Sequence, residues 1–303
     1  MSIVAVFNPK SGSGKTAETW AKVWAHLQEP VEALQTKRRG HAVELTANAI
    51  QRGAEIVIAV GGDGTINEVV NGFFENGRPL SGNVSLGIVP HGTGSDFSRT
   101  LKLPTDERKL AAVIKNRERH MIDVLQVRYT RMDGTQALRY SINMTSFGMG
   151  GAVAARANAA PKLFGGSIAY MLATLNTAIG FPGNHVTLHL DNATTIDAHV
   201  TNVAAGNGQY HGAGMWVCPG AAVDDGLIDV TIINYMPLFE LLKSLPLFYN
   251  GGIYGHPKVQ SYRVKRLTAD STEHVLIEID GEPLGRLPIE ISILPRALRI
   301  LMP

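Results

Sequence analysis

The sequence predicts two structural classes in one chain, an α/β domain built on a parallel sheet and then an antiparallel, all-β domain with helical insertions. Three observations carry this. Short apolar runs alternate with helix-period segments as far as about Asn116. From about Met121 apolar runs follow one another directly, separated by turn signals such as Asp133-Gly134 and Asp191-Asn192. A chain of 303 residues that is 45% hydrophobic and 18% charged can bury cores of that size. The boundaries fall at residues 1–120, to which 296–303 can return, and 121–295.

In the first half the expected elements are strands Ile3 to Phe7, Glu32 to Gln35, Glu55 to Val60 and Ser85 to Val89. They alternate with helices Lys15 to Gln28, His41 to Arg52, Ile66 to Phe74 and Glu107 to Lys115. In the first helix Trp20, Val23, Trp24 and Leu27 recur at helical spacing, the pattern of a core-facing stripe. In the second half strands are expected over Val124 to Arg131, Ala137 to Met144, His185 to Leu190, Ile196 to Ala205, Gly226 to Asn234, Val259 to Leu267, His274 to Ile279 and Pro288 to Leu294. Two apolar helices, Phe164 to Ile179 and Leu238 to Phe248, either cover that β core or border a channel for an apolar substrate.

Composition narrows the function classes. Twenty-eight basic against 26 acidic residues leave a formal charge of +2, which gives no case for nucleic-acid binding. Cys218 is the one cysteine, so internal disulfides and paired-thiol chemistry are excluded, and the residue reads as buried packing. The apolar N-terminus reads as a strand rather than a leader. Pro161 to Gly183, interrupted by Lys162, Asn176 and glycines, falls short of a bilayer span. A cytoplasmic protein is expected.

Gly61-Gly62-Asp63-Gly64-Thr65 stands between an apolar strand and a helix start. Glycines there allow a phosphate close to the backbone, and the first N–H groups of a helix favour negative charge. The same pattern can serve only close helix packing, and both readings stay open. Asp63 either orders the loop or reaches a metal ion that offsets phosphate charge. A Walker A loop is excluded because Pro9 stands six residues before Lys15. The dinucleotide fingerprint is excluded because Asn67 and Val153 occupy its third glycine position.

Asp280 and Glu282 lie two apart in what reads as a continuing strand, which would turn both carboxylates to one side. Asp280-Gly-Glu-Pro283 also reads as a plain hairpin turn. Ala222-Val-Asp-Asp-Gly-Leu227 is either an oxygen-rich cation site or a turn before a strand. Ser95 or Asp96 can cap the helix near Phe97, and His91 and His211 read as structural histidines.

Asn8-Pro-Lys-Ser-Gly12, Gly61-Gly-Asp-Gly-Thr65, Gly92-Thr-Gly-Ser-Asp-Phe97, Asp224-Asp225-Gly226-Leu227 and Asp280-Gly-Glu282, in this order over nearly the whole chain, resemble the diacylglycerol-kinase-like lipid kinases. That superfamily also holds sphingosine kinases and NAD kinases, and the soluble bacterial members are the nearest likeness. The resemblance implies an N-terminal α/β nucleotide-binding domain and a C-terminal β-sandwich domain, with ATP in the cleft between them. It implies ATP contacts at Gly62, Asp63, Gly64, Thr65, Ile66, Asn67 and Glu68, at Thr93, and at Thr36. Glu282 would be the catalytic base with Asp280 as its associate. A metal, Mg²⁺ or Ca²⁺, would be held by Asp225 and the backbone of Ala222 and Leu227. Where Ser95 stands the family more often has asparagine.

The implied activity is transfer of the γ-phosphoryl group of ATP, with Mg²⁺, to a hydroxyl of a lipid such as diacylglycerol. The alternatives are an NAD kinase or a non-catalytic nucleotide- or lipid-sensing regulator on the same fold. Expected partners are ATP, a lipid substrate and a transient peripheral contact with a membrane surface, carried by apolar residues beside Arg99, Lys102 or Lys162. A homodimer is compatible with this, and nucleic acid is not expected.

Overall fold

The computed structural model describes residues 2–9, 11, 15–91, 95–159, 173–191 and 193–303. It divides into two compact units, Met1–Val124 with Pro295–Pro303, and Leu125–Leu294.

In the first unit β1 (Ile3–Phe7) pairs in parallel with β2 (Val31–Gln35) and with β3 (Ile56–Gly61). Strand β3 pairs in parallel with β6 (Ser85–Pro90), giving the order β2-β1-β3-β6. The end of the last strand, β18 (Glu282–Leu301), extends this sheet through Arg299 and Ile300 beside Ser85 and Leu86, so the C-terminal residues do return to the first unit. A strand buried on both faces reads as a continuous apolar run, and Ile56 to Val60 is one.

Helices α1 (Thr16–Leu27) and α5 (Glu107–Asn116) cover one face, packing Trp20, Val23, Leu27, Leu110 and Ile114 on Ile3, Ile56, Ile58 and Val60. Helices α2 (His41–Gln51) and α3 (Asp63–Asn71) pack on one another and on β1, β3 and β6. Asp106 starts α5 by accepting the Lys109 N–H at 2.9 Å. Trp24 does not join the expected stripe and is 48% exposed, because the buried arc of α1 closes on Trp20, Val23 and Leu27. The rest of the unit is the short hairpin β4 (Phe74–Glu75) and β5 (Arg78–Pro79), and the five-residue α4 (Asp96–Thr100).

The second unit is antiparallel. From β7 (Arg119–Arg131), which carries the chain into it, come β8 (Gln136–Ser141), β9 (Met144–Gly148) and α6 (Met149–Ala159). Strands β10 (Asn184–Leu190) and β11 (Thr194–Gly206) follow, then the small hairpin β12 (Tyr210–His211) and β13 (Met215–Trp216), and then β14 (Ile228–Asn234). Helix α7 (Leu238–Asn250) precedes β15 (Val259–Val264), β16 (Arg266–Asp270) and β17 (Leu276–Ile279). The hydrogen-bonded order β15-β14-β11-β10-β16-β18 is joined by β9, which lies between β11 and β17. Inward residues such as Val127, Phe147, Leu188, Val203, Val230, Ile277 and Ile291 share one core.

Two expected strands are broken. Ala137 to Met144 divides at Ile142-Asn143, and Val259 to Leu267 divides at Lys265. Of the expected helix Phe164 to Ile179, residues 164–172 lie outside the described residues, and 173–178 are helical. Among the described residues no helix is long and apolar enough to cross a membrane.

Cys218 is buried, its Sγ 3.3 Å from the Thr231 hydroxyl, and burial pushes the thiol up to about 12. It is expected to stay unalkylated when the folded protein is held in iodoacetamide at neutral pH and to react once urea is added; mass spectrometry of both samples checks this.

Candidate functional site

In a parallel α/β sheet, ligands bind beyond the carboxyl ends of the strands. Four of the segments singled out above leave the sheet at that edge. Asn8 follows β1, Thr36 follows β2, the glycine turn closes β3 and His91 follows β6. Ser11 stitches three of them, since its hydroxyl accepts the Gly62 N–H at 3.0 Å and donates to the His91 carbonyl at 3.2 Å. The His91 N–H returns to the Gly61 carbonyl at 2.9 Å, and its Nδ1 meets the Thr19 hydroxyl at 2.9 Å, the structural role expected of it. Thr36 is buried and donates its N–H to the Phe7 carbonyl at 3.0 Å.

Helix α3 begins three residues before the expected start, at Asp63, with Gly62 as its extended N-cap. The acidic motif residue therefore sits in the first turn, where a carboxylate is favoured by the helix dipole. Gly61 has φ +154°, and a Cβ there would stand 2.8 Å from the Thr65 hydroxyl, so the close approach of turn to helix needs glycine. Ile66 and Asn67 have their side chains buried, and the Asn71 amide donates to Asn67 Oδ1 at 3.2 Å. Glu68 holds the start of α2, accepting the Gly40 N–H at 2.8 Å and the Ala42 N–H at 3.2 Å. Of the charge run after Thr36, Arg38 donates from its Nη2 to both Glu44 carboxylate oxygens at 2.7 Å, and this exposed pair holds the Glu44 carboxyl below its ordinary range. Thr93 lies outside the described residues. Ser95 occupies the N-cap position of α4 with φ +48°, but no side-chain cap bond forms there.

The expectation of Asp280 and Glu282 projecting from one side of a continuing strand is corrected by the structure. Strand β17 ends at Ile279, Asp280 and Gly281 form a two-residue hairpin with φ +47° and +82°, and Glu282 opens β18 opposite Ile279. Asp-Gly with both φ values positive is the turn whose twist matches that of the flanking strands. The two acids consequently do different things. Asp280 is buried, and its carboxylate accepts the Ser141 hydroxyl at 2.6 Å and the N–H groups of Ile142, Asn143 and Met144 at 3.2, 3.1 and 3.0 Å. Glu282 is half-buried at the start of β18.

Under this turn lies a polar nest that the sequence reading did not find. Asn143 donates its amide to the Tyr210 carbonyl at 3.0 Å, and Asn207 donates to the Ile142 carbonyl at 2.8 Å. Glu278, with no exposed surface, faces His211 at 3.2 Å. The Asn207-Gly-Gln-Tyr-His211 loop was the available signal. Polar side chains at such burial need partners, and they concentrate here around one hairpin.

In the Ala222 to Leu227 turn, Asp225 Oδ1 accepts the Leu227 N–H at 3.0 Å, Gly226 takes φ +75°, and Oδ2 is bound by the Arg263 guanidinium. Arg263 Nε also reaches Asp229 at 3.5 Å; burial raises Asp229 to about 6, opposed by Arg263. No cluster of histidine, cysteine and acidic residues able to hold a metal is found among the described residues, and a cation held by Asp225, as the resemblance implies, would compete there with Arg263. Arg263→Ala is expected to lower the Mg²⁺ or Ca²⁺ concentration at which the thermal midpoint rises. A thermal-shift titration with each ion checks it, and superposed curves would show that Arg263 does not compete.

Comparison with known proteins gives the family of the chain. Residues 2–127 match the Diacylglycerol kinase catalytic domain family, and residues 143–302 match the YegS C-terminal NAD kinase beta sandwich-like domain family. The chain is 30% identical over 309 residues to the diacylglycerol kinase of Staphylococcus saprophyticus, covering 98% of this chain and 94% of that one. It is 27% identical over 303 residues to "Probable lipid kinase YegS-like" of Stenotrophomonas maltophilia, covering 98% and 95%. In fold it is similar to a structure described as a diacylglycerol kinase from Bacillus anthracis, with a TM-score of 0.73 and 21% identity over 100% of this chain and 97% of that one. It is also similar in fold to yeast NADH kinase, with a TM-score of 0.58 and 12% identity over 99% and 82%. Two domain families matched in sequence order and relatives aligned along nearly their full length lead to one conclusion: the chain belongs to the diacylglycerol-kinase-like lipid kinase family.

Proposed function

We propose that the chain transfers the γ-phosphoryl group of ATP to a hydroxyl of a lipid such as diacylglycerol, acting in the cytoplasm at a membrane surface. The observation that carries this reading is the convergence of Ser11, the Gly61–Thr65 turn, Thr36 and His91 at the carboxyl edge of adjacent parallel strands. In this reading the start of α3, from Gly62 to Glu68, receives the phosphates, while Thr36 and Thr93 border the nucleotide. Asp63 would reach a phosphate-bound cation, and Glu68 holds the neighbouring helix start in register through Gly40 and Ala42. Mg²⁺ supplies neutralisation of charge on the transferred phosphoryl group. Glu282 accepts the proton of the lipid hydroxyl as the oxygen attacks phosphorus, and Asp280 holds the hairpin that presents it. The cation in the second unit would rest on Asp225 and the carbonyls of Ala222 and Leu227 once Arg263 turns away.

Contact with a lipid surface is supported by α7, which leaves Phe239, Leu242 and Tyr249 exposed at 81%, 41% and 59%. An apolar and aromatic face of that kind suits the interfacial region of a bilayer. Lys162 lies outside the described residues, while Arg99 and Lys102 are exposed.

The test is incubation of the purified protein with labelled ATP, Mg²⁺ and a panel of lipids in mixed micelles, with Glu282→Ala beside it. Label in a phospholipid that depends on Glu282 supports the reading. Formation of NADP from NAD instead would favour the NAD kinase alternative. Tight ATP binding with transfer to neither acceptor would favour a non-catalytic regulator.

A further inference from the structure

Glu278 lies on the face of β17 that α6 covers, opposite Ser146 on β9. A leucine there would satisfy the packing at less cost, because an ion buried without compensation is unfavourable. What the carboxylate adds is an acceptor. One oxygen takes the Gly281 N–H at 2.6 Å, and the other stands 3.2 Å from His211 Nε2. Gly281 is the residue immediately before Glu282, and its positive φ would otherwise leave that peptide free to turn. His211 leaves 12% of its side chain exposed, so the pair lies within reach of solvent on the imidazole side.

We propose that Glu278 and His211 form a positioning pair which locks the Asp280-Gly281 turn and so fixes the direction in which Glu282 is presented. For its kinetic consequences the inference rests on the lipid-kinase reading. The other charged groups around the pair are few. Asp280 lies across the turn; α6 carries only Arg156, which donates to the Asn176 carbonyl; β18 contributes Glu282 and Arg286; β9 and β13 contribute none. Burial pushes the Glu278 carboxyl up, opposed by His211, Ser146 and the Gly281 N–H. The 3.2 Å contact between Glu278 and His211 steadies the turn most when the two carry opposite charges.

Three variants of the full chain separate the contributions. Glu278→Leu removes the acceptor, Glu278→Gln keeps an acceptor without the charge, and His211→Asn removes the imidazole. Amide exchange at Gly281, read by NMR, is expected to be about tenfold faster in Glu278→Leu and close to the parent in Glu278→Gln. Turnover is expected to fall about 10- to 100-fold in Glu278→Leu with KM for ATP unchanged, and Glu278→Gln should recover most of it. Both Glu278→Gln and His211→Asn should change the pH dependence of kcat, which a purely structural role would not do. Unchanged Gly281 exchange in Glu278→Leu overturns the proposal, as does a pH dependence of kcat that neither charge-removing variant moves. Should Glu278→Leu not fold, the other two variants decide by their pH profiles. Should the parent protein phosphorylate no lipid, the kinase reading fails by itself, and Gly281 exchange in Glu278→Leu against Glu278→Gln still decides the lock.

Discussion

Replacing Glu282 with alanine is expected to slow phosphoryl transfer to lipid by ~10²- to 10⁴-fold, the usual worth of a positioned general base, while ATP affinity stays the same. Nucleotide binding and proton removal fall to different residues. The segments proposed for the nucleotide leave the first unit's sheet at Asn8, Thr36, Gly61 and His91, and Glu282 belongs to a hairpin of the second unit and is no partner in the Ser11 hydrogen bonds to Gly62 and His91. It is also half-buried at the start of β18 rather than part of a core, so truncation should leave the thermal midpoint close to that of the parent. Glu282→Gln keeps the shape and loses the basicity, and it should be nearly as slow. Steady-state kinetics with varied ATP, beside a direct nucleotide-binding measurement, check this. A loss confined to KM would assign Glu282 to binding, and an unchanged rate would remove it from the chemistry.

Most of the first unit was legible because its signals are local. Runs such as Glu55 to Val60 and the helix-period segment Glu107 to Lys115 place β3 and α5 within one residue of where they stand. The same holds for the motifs, whose glycines mark where strands end at one sheet edge. Local signals fail where a distant group decides. The expected strand from Val259 to Leu267 breaks at Lys265 because the Asp191 carboxylate takes the N–H groups of Lys265 and Arg266 at 2.9 and 2.8 Å. The strand from Ala137 breaks at Ile142-Asn143 because Asp280 captures those N–H groups from about 140 positions away. No window of sequence contains both partners.

The candidate site was legible in part for the same reason. Asp280-Gly281-Glu282 gave both a turn and an acidic pair, and the turn decided the geometry by sending the two carboxylates apart. Glu278 alternates with Ile277 and Ile279, so it reads as the solvent face of a half-buried strand. It is buried because α6 lies on that face, a tertiary fact with no trace in the period of β17.

Asp280→Ala is expected to cost ~3–5 kcal/mol of stability, the largest effect on folding anticipated for any residue of the site. The carboxylate is buried and serves four donors at once. Its removal leaves the Ser141 hydroxyl and three consecutive backbone N–H groups in a space that water does not readily reach. An unsatisfied buried donor costs about 1–3 kcal/mol, and the four are not additive because they share one acceptor and one loop. Alanine at φ +47° adds about 1–2 kcal/mol of left-handed strain. Asparagine tolerates that backbone and keeps one oxygen for the donors now on Oδ1, but it turns an amide N–H₂ toward the Ile142 N–H, so it should cost less than alanine and more than nothing. Urea denaturation with slope and midpoint both reported separates this loss from a change in the unfolded chain. A midpoint unmoved in Asp280→Ala, with turnover lost, would make Asp280 a participant in the chemistry instead of the anchor of its hairpin; a fallen midpoint, with the residual folded fraction still transferring phosphate, fits the hydrogen bonds seen here.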